Sequence, residues 1–161
     1  MVIVIMGVAG SGKTTVGRAL AAALGWSFRD ADEFHPAANV AKMSAGQPLT
    51  DADRAPWLAA IRAYIDDTLA RRGDSVVTCS ALKESYRAAL VADPVRVKLV
   101  HLTGDPTLLA ARIAGRRDHF MKPEMLASQL AALEPPHDAL AVDIADSPDT
   151  IVGKIRRGLS L

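Results

Sequence analysis

The feature that most constrains this chain is the glycine-rich segment Gly7–Thr14, which reads GVAGSGKT. It follows the apolar run Val2–Met6 and precedes a helical pattern from Val16 to Leu24, so it matches G-x-x-x-x-G-K-[ST] in the strand–loop–helix context that the motif requires. Glycines let the backbone turn tightly and approach a phosphate, and the loop N–H groups lie at the positive end of the following helix. A glycine-rich turn without a ligand would not need all of these features together. The segment therefore predicts a nucleoside triphosphate site.

Two side chains of this segment have expected roles in phosphate chemistry. Lys13 can reach the β- and γ-phosphates, and the Thr14 hydroxyl can ligate Mg²⁺. Lys13 is also a catalytic candidate, because it can stabilise charge on the transferring phosphoryl group. The predicted nucleotide-binding residues here are Gly7, Ala9, Gly10, Ser11, Gly12, Lys13, Thr14 and Thr15.

Composition narrows the class of protein. At 161 residues we expect one domain, residues 1–161, and a hydrophobic content of 50 % suits a sheet buried on both faces. The net charge of +1 gives no electrostatic case for nucleic acid or an anionic membrane as a partner. Cys79 is the single cysteine, which excludes an internal disulfide and fits a reducing cytoplasm. The N-terminal apolar run is too short for a signal peptide or a membrane span, so we expect a cytoplasmic protein.

Short apolar runs alternate with helical patterns along the chain, which predicts an α/β fold with a parallel sheet. The five predicted strands are Val2–Met6, Ser27–Asp30, Ser75–Cys79, Arg96–Leu102 and Ala141–Ile144. Helices are predicted over about 13–24, 37–45, 51–72, 83–92, 105–115 and 123–133, with a last one beginning at 147–148.

Polar residues follow several of these strands, where ligands bind in parallel α/β sheets. Asp30 and Asp32 follow the second strand, and in an extended chain residues i and i+2 point to the same side. We expect this pair to face the γ-phosphate, with one carboxylate for Mg²⁺ and one to orient the attacking hydroxyl. The alternative is that they are turn or cap aspartates. The third strand ends at Thr78-Cys79-Ser80 without the aspartate of an ordinary Walker B strand, which favours the second-strand pair for the metal.

An acceptor that is a polyhydroxylated acid would need donors for its carboxylate, and several basic residues could supply them. Arg54 offers a bidentate fork for a carboxylate, whereas Lys42 is a less directional candidate for which surface solvation is an even alternative. Lys83 and Arg87 are spaced i, i+4, so one helical face could carry two positive charges near the acceptor. Trp57 is expected in the core or the cleft wall rather than as a ligand.

A basic segment over about 112–123 suggests a lid. Arg112 and Arg116 are spaced i, i+4, and residues 117–120 then break the helix. A lid would supply an arginine to the developing charge and exclude water that competes with the acceptor hydroxyl. The alternative is a solvated basic helix end stabilised by the macrodipole. We expect His119 to have a structural role in the lid loop.

These segments together resemble the gluconokinase family. The match runs from Met1 to about Ile144; the phosphate loop is shared by many kinases, whereas the blocks from His35 to Trp57 and from Cys79 to Arg87 are more specific. The segments that carry the resemblance are Gly7–Thr14, 30–36, 42–43, Gly46, 48–49, Asp51, 53–54, 56–58, 79–83, 86–87, Arg116, 119–120 and 133–135.

The resemblance implies ATP-dependent phosphorylation of D-gluconate at its 6-hydroxyl. It also implies a three-layer α-β-α P-loop kinase fold with a five-stranded parallel sheet and a small helical lid, like that of nucleoside-monophosphate kinases, and usually a homodimer. Shikimate kinase is a more distant relative. By this likeness Asp30 joins the Mg²⁺ shell, Arg112 stacks on the adenine and Arg116 is the catalytic lid arginine. The candidates for substrate binding are Asp32, also catalytic through the hydroxyl, with His35, Lys42, Arg54, Ser80, Lys83 and Arg87.

Two alternatives stay open at this point. One is a kinase for another small hydroxy acid such as shikimate, or for a nucleoside monophosphate, against which the block from His35 to Trp57 argues. The other is a nucleotide-binding regulatory module. Asp30, Asp32 and the basic lid argue against it, because a switch needs no acceptor pocket.

Overall fold

A five-stranded parallel sheet forms the centre of the protein, seen in a computed structural model that describes residues 1–115 and 123–161. The strand order is β2-β3-β1-β4-β5, and every neighbouring pair is parallel. The strands are β1 (Val2–Met6), β2 (Ser27–Asp30), β3 (Ser75–Thr78), β4 (Val97–Thr103) and β5 (Leu140–Asp143).

The helices follow the predicted alternation. They are α1 (Lys13–Leu24), α2 (Ala37–Ser44), α3 (Asp51–Ala70), α4 (Glu84–Leu90), α5 (Pro106–Ala114), α6 (Pro123–Ala132) and α7 (Pro148–Leu159). Each predicted strand and helix is present, with ends within about two residues of the expected ones. Clear end signals explain this agreement: Thr50 and Asp53 form a capping box at α3, and Gly25 ends α1 in a left-handed conformation.

Alternate residues of β1 face two separate hydrophobic cores. Ile3 and Ile5 pack in the core that includes residues of α1, α5 and α7, whereas Val4 and Met6 pack in the core that includes residues of α3 and α4. All five residues of β1 are fully buried, as a central parallel strand requires. Helices therefore cover both faces of the sheet, which confirms the predicted three-layer α-β-α P-loop kinase fold. Within the described residues, no helix is long and apolar enough to cross a membrane.

The topology places a crevice at the carboxyl end of β1. The chain builds β2 and β3 on one side of β1 and then crosses to β4 on the other side. Ligands bind at such switch points in open α/β sheets. Since β1 runs directly into the segment Gly7–Thr14, this segment lies at the switch point.

The packing of α1 on the sheet depends on Gly17. A Cβ at this position would lie 2.7 Å from Thr78 Cγ2 and 2.8 Å from Phe28 Cε2. At Gly153 in α7, the nearest atom to a new Cβ is the terminal Nη1 of Arg157, at 3.4 Å.

We expect Gly17→Ala to be less stable than Gly153→Ala by about 1–3 kcal/mol, the usual cost of overpacking. Both changes replace glycine by alanine within a helix and so gain the same helix propensity. The difference between their free energies of unfolding therefore reports the packing cost alone. Urea denaturation of both variants measures it. Equal free energies of unfolding would contradict this account of the α1–sheet contact.

Candidate active site

The phosphate loop has the backbone that its glycines allow. Gly10 and Gly12 have φ of 80° and 84°, in the left-handed region. A Cβ at Gly7 would lie 2.8 Å from Ser11 Oγ and 2.9 Å from the Leu102 carbonyl oxygen. Gly12 caps α1 without a side-chain hydrogen bond, so the first N–H groups of α1 can bind an anion. Ser11 Oγ is buried without a partner in the described part of the chain, so Ser11 offers a phosphate only its main chain.

The loop side chains connect to the neighbouring strand. Lys13 is half-buried, and its Nζ donates a hydrogen bond to the Val8 carbonyl at 3.0 Å. The Thr14 hydroxyl donates to Asp30 Oδ2 at 2.9 Å, and Thr15 is exposed beside it. The threonine of the loop and the carboxylate at the end of β2 therefore belong to one site. Hydroxyl and carboxylate oxygens are ligands that suit Mg²⁺.

The segment after β2 is not extended, and the prediction that placed Asp30 and Asp32 on one side of an extended chain is wrong. Residues Ala31–Phe34 form a 3-10 turn, because Asp30 Oδ1 accepts a hydrogen bond from the Asp32 N–H at 3.2 Å. The Asp32 side chain is 88 % exposed on this turn. The charges of Lys13, Asp32 and Asp30 nevertheless all act on the thiol of Cys79, whose pKa burial raises to about 12. All three charges therefore act near Cys79, the residue that follows β3.

Trp57 of α3 holds this turn in place. It is 2 % exposed, as expected for a core residue, and its Nε1 donates to the Ala31 carbonyl at 2.7 Å. The His35 ring stacks on it with centroids 4.5 Å apart and an interplanar angle of 8°. His35 Nε2 lies 3.9 Å from Asp32 Oδ1, and burial lowers the pKa of His35. His35 is therefore a largely neutral partner beside the Asp32 carboxylate at neutral pH.

Two of the basic candidates form ion pairs with the start of α3. Lys42 Nζ lies 2.7 Å from Asp53 Oδ1, and Lys83 Nζ lies 2.9 Å from both carboxylate oxygens of Asp51. Lys83 is the N-cap residue of α4 in an extended conformation. The expectation that Lys83 and Arg87 share one helical face is therefore wrong.

Arg54 and Arg87, the two arginines predicted to bind the substrate, differ in their surroundings. Arg87 is buried, and its Nη1 donates to the carbonyls of Ala81 at 3.2 Å and Leu82 at 2.9 Å. It therefore supports the loop that contains Ser80, which is half-buried. Arg54 is half-buried with its guanidinium carbon 5.8 Å from the centroid of the Tyr86 ring. Its guanidinium group makes no hydrogen bond or ion pair to residues 1–115 or 123–161, so this fork of donors stays available to a ligand.

A cavity borders the phosphate loop on the side of α5 and α7. It has a volume of about 260 Å³, and its lining includes Gly12, Thr15, Arg112 and Asp146. Arg112 Nη2 donates to the Ile144 carbonyl at 2.8 Å, which fixes the arginine at the edge of this cavity. A cavity at this position could hold the base of a nucleotide whose phosphates bind to the phosphate loop.

Sequence reasoning missed the contacts of α6 and the segment after it. The Ala9 N–H donates to Gln129 Oε1 at 2.6 Å. The Glu134 N–H donates to the Leu82 carbonyl at 2.9 Å, and Glu134 Oε2 accepts from the Glu84 N–H at 2.5 Å. The only sequence signal for these contacts was the family resemblance at 133–135.

Arg116, His119 and most of the predicted lid at 112–123 lie outside the described residues. In the described ranges, no group of three or more His, Cys, Asp or Glu side chains is arranged to hold a metal.

Comparisons with known proteins agree on one family. A family model described as an AAA domain matches residues 2–136. A gluconokinase from Gluconobacter oxydans is 46 % identical over 158 residues, which cover 96 % of this chain and 89 % of that protein.

Solved structures include one from the same family and one that shares only the fold. The crystal structure of a gluconokinase from Sinorhizobium meliloti superposes with a TM-score of 0.86 at 46 % identity, covering 98 % of this chain and 90 % of that one. Shikimate kinase from Aquifex aeolicus shares the fold, with a TM-score of 0.61 at 18 % identity over 99 % of this chain and 96 % of that one.

The pair of Lys42 and Asp53 can be tested by titration. The hydrogen bond from Lys42, with those from Thr50, lowers the pKa of Asp53 from 3.8 to about 2. Because the folded pKa is lowered, this stabilisation is present above pH about 4 and is lost as the pH falls towards 2. Carboxyl NMR should give a midpoint near 2, and one closer to 3.8 in Lys42→Met. Lys98→Met is the control; an unchanged midpoint in Lys42→Met would disprove the ion pair.

Proposed function

The chain belongs to the gluconokinase family of P-loop kinases, and on that premise we propose that it transfers the γ-phosphoryl group of ATP to the 6-hydroxyl of D-gluconate. The products are 6-phospho-D-gluconate and ADP. The observation that carries this proposal is the hydrogen bond between Thr14 and Asp30, which joins the phosphate loop to the acceptor side of the cleft. A nucleotide and an acceptor bound on its two sides would meet at this point.

The phosphate loop binds the triphosphate through its N–H groups and Lys13. Lys13 stabilises the negative charge that develops on the transferring phosphoryl group. Because Lys13 is the first residue of α1, the positive end of the helix dipole acts on the same region. Arg112, held by the Ile144 carbonyl, forms one wall for the adenine. Arg116 is the proposed catalytic arginine of the lid, which covers about 112–123 of a single kinase domain spanning 1–161.

Thr14 and Asp30 are the residues that would hold Mg²⁺. Their oxygen atoms are 2.9 Å apart, and Mg²⁺ in such sites needs few protein ligands because water and substrate phosphates supply the others. The bound metal would neutralise charge on the phosphoryl oxygens. Homodimerisation and a cytoplasmic location are also part of the proposal, as properties implied by the family.

Asp32 orients the 6-hydroxyl and accepts its proton. Its carboxylate lies on the turn held by Trp57, and His35 is next to it. Proton acceptance by a positioned carboxylate typically contributes about 10²–10⁴-fold in rate.

Asp32→Asn should therefore lower kcat at least about 100-fold, with the KM for ATP little changed, because the amide keeps the shape and loses the charge. Asp30→Asn should instead raise the Mg²⁺ concentration needed for half-maximal rate. Steady-state kinetics across a magnesium series separates the two, and Asp66→Asn, in an ion pair on the outer part of α3, is the control. The same magnesium dependence in Asp30→Asn and the wild type would contradict the metal assignment.

Arg54 binds the carboxylate of gluconate at the far end from the reacting hydroxyl. Lys42 and Lys83 already pair with aspartates and Arg87 is buried, whereas Arg54 keeps its donors available on the described surface. Charge-assisted hydrogen bonds of this kind contribute about 1.5–3 kcal/mol.

Arg54→Ala should raise the KM for gluconate by about 10- to 100-fold and leave the KM for ATP nearly unchanged, because only the acceptor loses a contact. The variant should also lose most of its preference for gluconate over a neutral polyol of equal length. Arg62→Ala on the same helix is the matched control, since Arg62 pairs with Asp66. An unchanged gluconate KM in Arg54→Ala would contradict the role of Arg54 and make Lys83 or Arg87 the leading candidate for binding the carboxylate.

A coupled ADP-release assay tests the function itself. ATP turnover should rise strongly with gluconate and little with shikimate or AMP. A turnover rate that is highest with shikimate would favour the alternative that the protein is a kinase for another small hydroxy acid. Tight ATP binding without acceptor-dependent turnover would favour a regulatory module.

A further inference from the structure

Helix α6 and the residues just after it contact both sides of the cleft. Helix α6 lies on the first hydrophobic core through Leu126, which is buried with Val8 and Ala9 of the phosphate loop. From this base, Gln129 contacts the phosphate loop, and Glu134, two residues after the helix, contacts the acceptor side. The two sides are thus connected by the short segment from Gln129 to Glu134 as well as by the sheet.

The contact at the phosphate loop is made to the main chain. Gln129 Oε1 accepts the Ala9 N–H at 2.6 Å, and the two residues are 120 positions apart in sequence. Ala9 stands immediately before Gly10, whose left-handed conformation reverses the loop. A hydrogen bond at this position therefore fixes where the loop turns, and so where its later N–H groups point.

The contact at the acceptor side has two hydrogen bonds. The Glu134 N–H donates to the Leu82 carbonyl at 2.9 Å, and Glu134 Oε2 accepts the Glu84 N–H at 2.5 Å. The second bond caps α4, whose own N-cap residue Lys83 supplies no side-chain hydrogen bond. The loop between β3 and α4 needs such support, because Ala81 is held at φ 44°, which is unfavourable for a residue with a Cβ.

We propose that Gln129 and Glu134 are positioning residues that together set the distance between the ATP loop and the acceptor loop. This inference rests on the proposed function. Phosphoryl transfer requires the attacking oxygen in line with the leaving group, and a displacement of about 1 Å can cost about 100-fold in rate. A segment tied to both loops keeps that distance constant while each loop binds its own ligand.

A double-mutant cycle tests whether the two contacts act as one unit. Gln129→Ala should lower kcat about tenfold with the KM for ATP within about twofold, because the loop N–H groups remain but are misplaced. Glu134→Ala should lower kcat by a similar factor, and Glu134→Gln should restore most of it, since its amide oxygen can still accept the Glu84 N–H. The double variant should lose no more than the worse single one.

The control is Arg71→Ala, in an exposed ion pair with Asp67 at the C-terminal end of α3, which should leave kcat unchanged alone and should add nothing to the effect of Glu134→Ala. Melting temperatures of all variants show that they are folded at the assay temperature. Losses that multiply in the double variant, or a Gln129→Ala variant with wild-type kcat, would overturn the inference while the proposed function stands. A wild type without gluconate-dependent turnover would reject both.

Discussion

A hydrogen bond from the Thr14 hydroxyl to the Asp30 carboxylate joins the two sides of the cleft. It requires the end of β2 to lie close to the phosphate loop although β3 separates β2 from β1, and α1, which follows the loop, packs against both β2 and β3. The same aspartate bonds the Asp32 N–H with its other oxygen and so starts the turn that presents Asp32. One carboxylate therefore fixes the loop threonine and the proposed proton acceptor relative to each other.

The first two turns of α3 organise the acceptor side. Asp51 and Asp53 bind the two lysines, Trp57 holds the turn after β2, and Arg54 stays available to a ligand. The side chains of Asp51, Asp53 and Trp57 thus make hydrogen bonds or ion pairs, whereas the Arg54 guanidinium, within the described residues, contacts only the Tyr86 ring. This division is the basis for proposing Arg54, rather than Lys42 or Lys83, as the residue that binds the carboxylate of the acceptor.

The fold was largely predictable because its signals are local. A buried apolar run before a glycine-rich motif indicates β1 and its loop, and the pair of Thr50 and Asp53 indicates the start of α3. The turn after β2 was considered only as the alternative to an extended segment, because the hydrogen bond that the Asp32 N–H donates to the Asp30 carboxylate is not visible in the sequence pattern. The contact of Gln129 with Ala9 was equally hidden, since it joins residues 120 positions apart through tertiary packing.

The central claim concerns which oxygen receives the phosphoryl group, and ³¹P NMR of the product tests it most directly. With ATP and gluconate, we expect a new phosphomonoester signal split into a triplet by the two protons of the terminal methylene carbon. This pattern arises only if a primary hydroxyl has been phosphorylated, and the 6-hydroxyl is the primary one in gluconate. A doublet, which indicates a secondary hydroxyl, or inorganic phosphate alone would contradict the account.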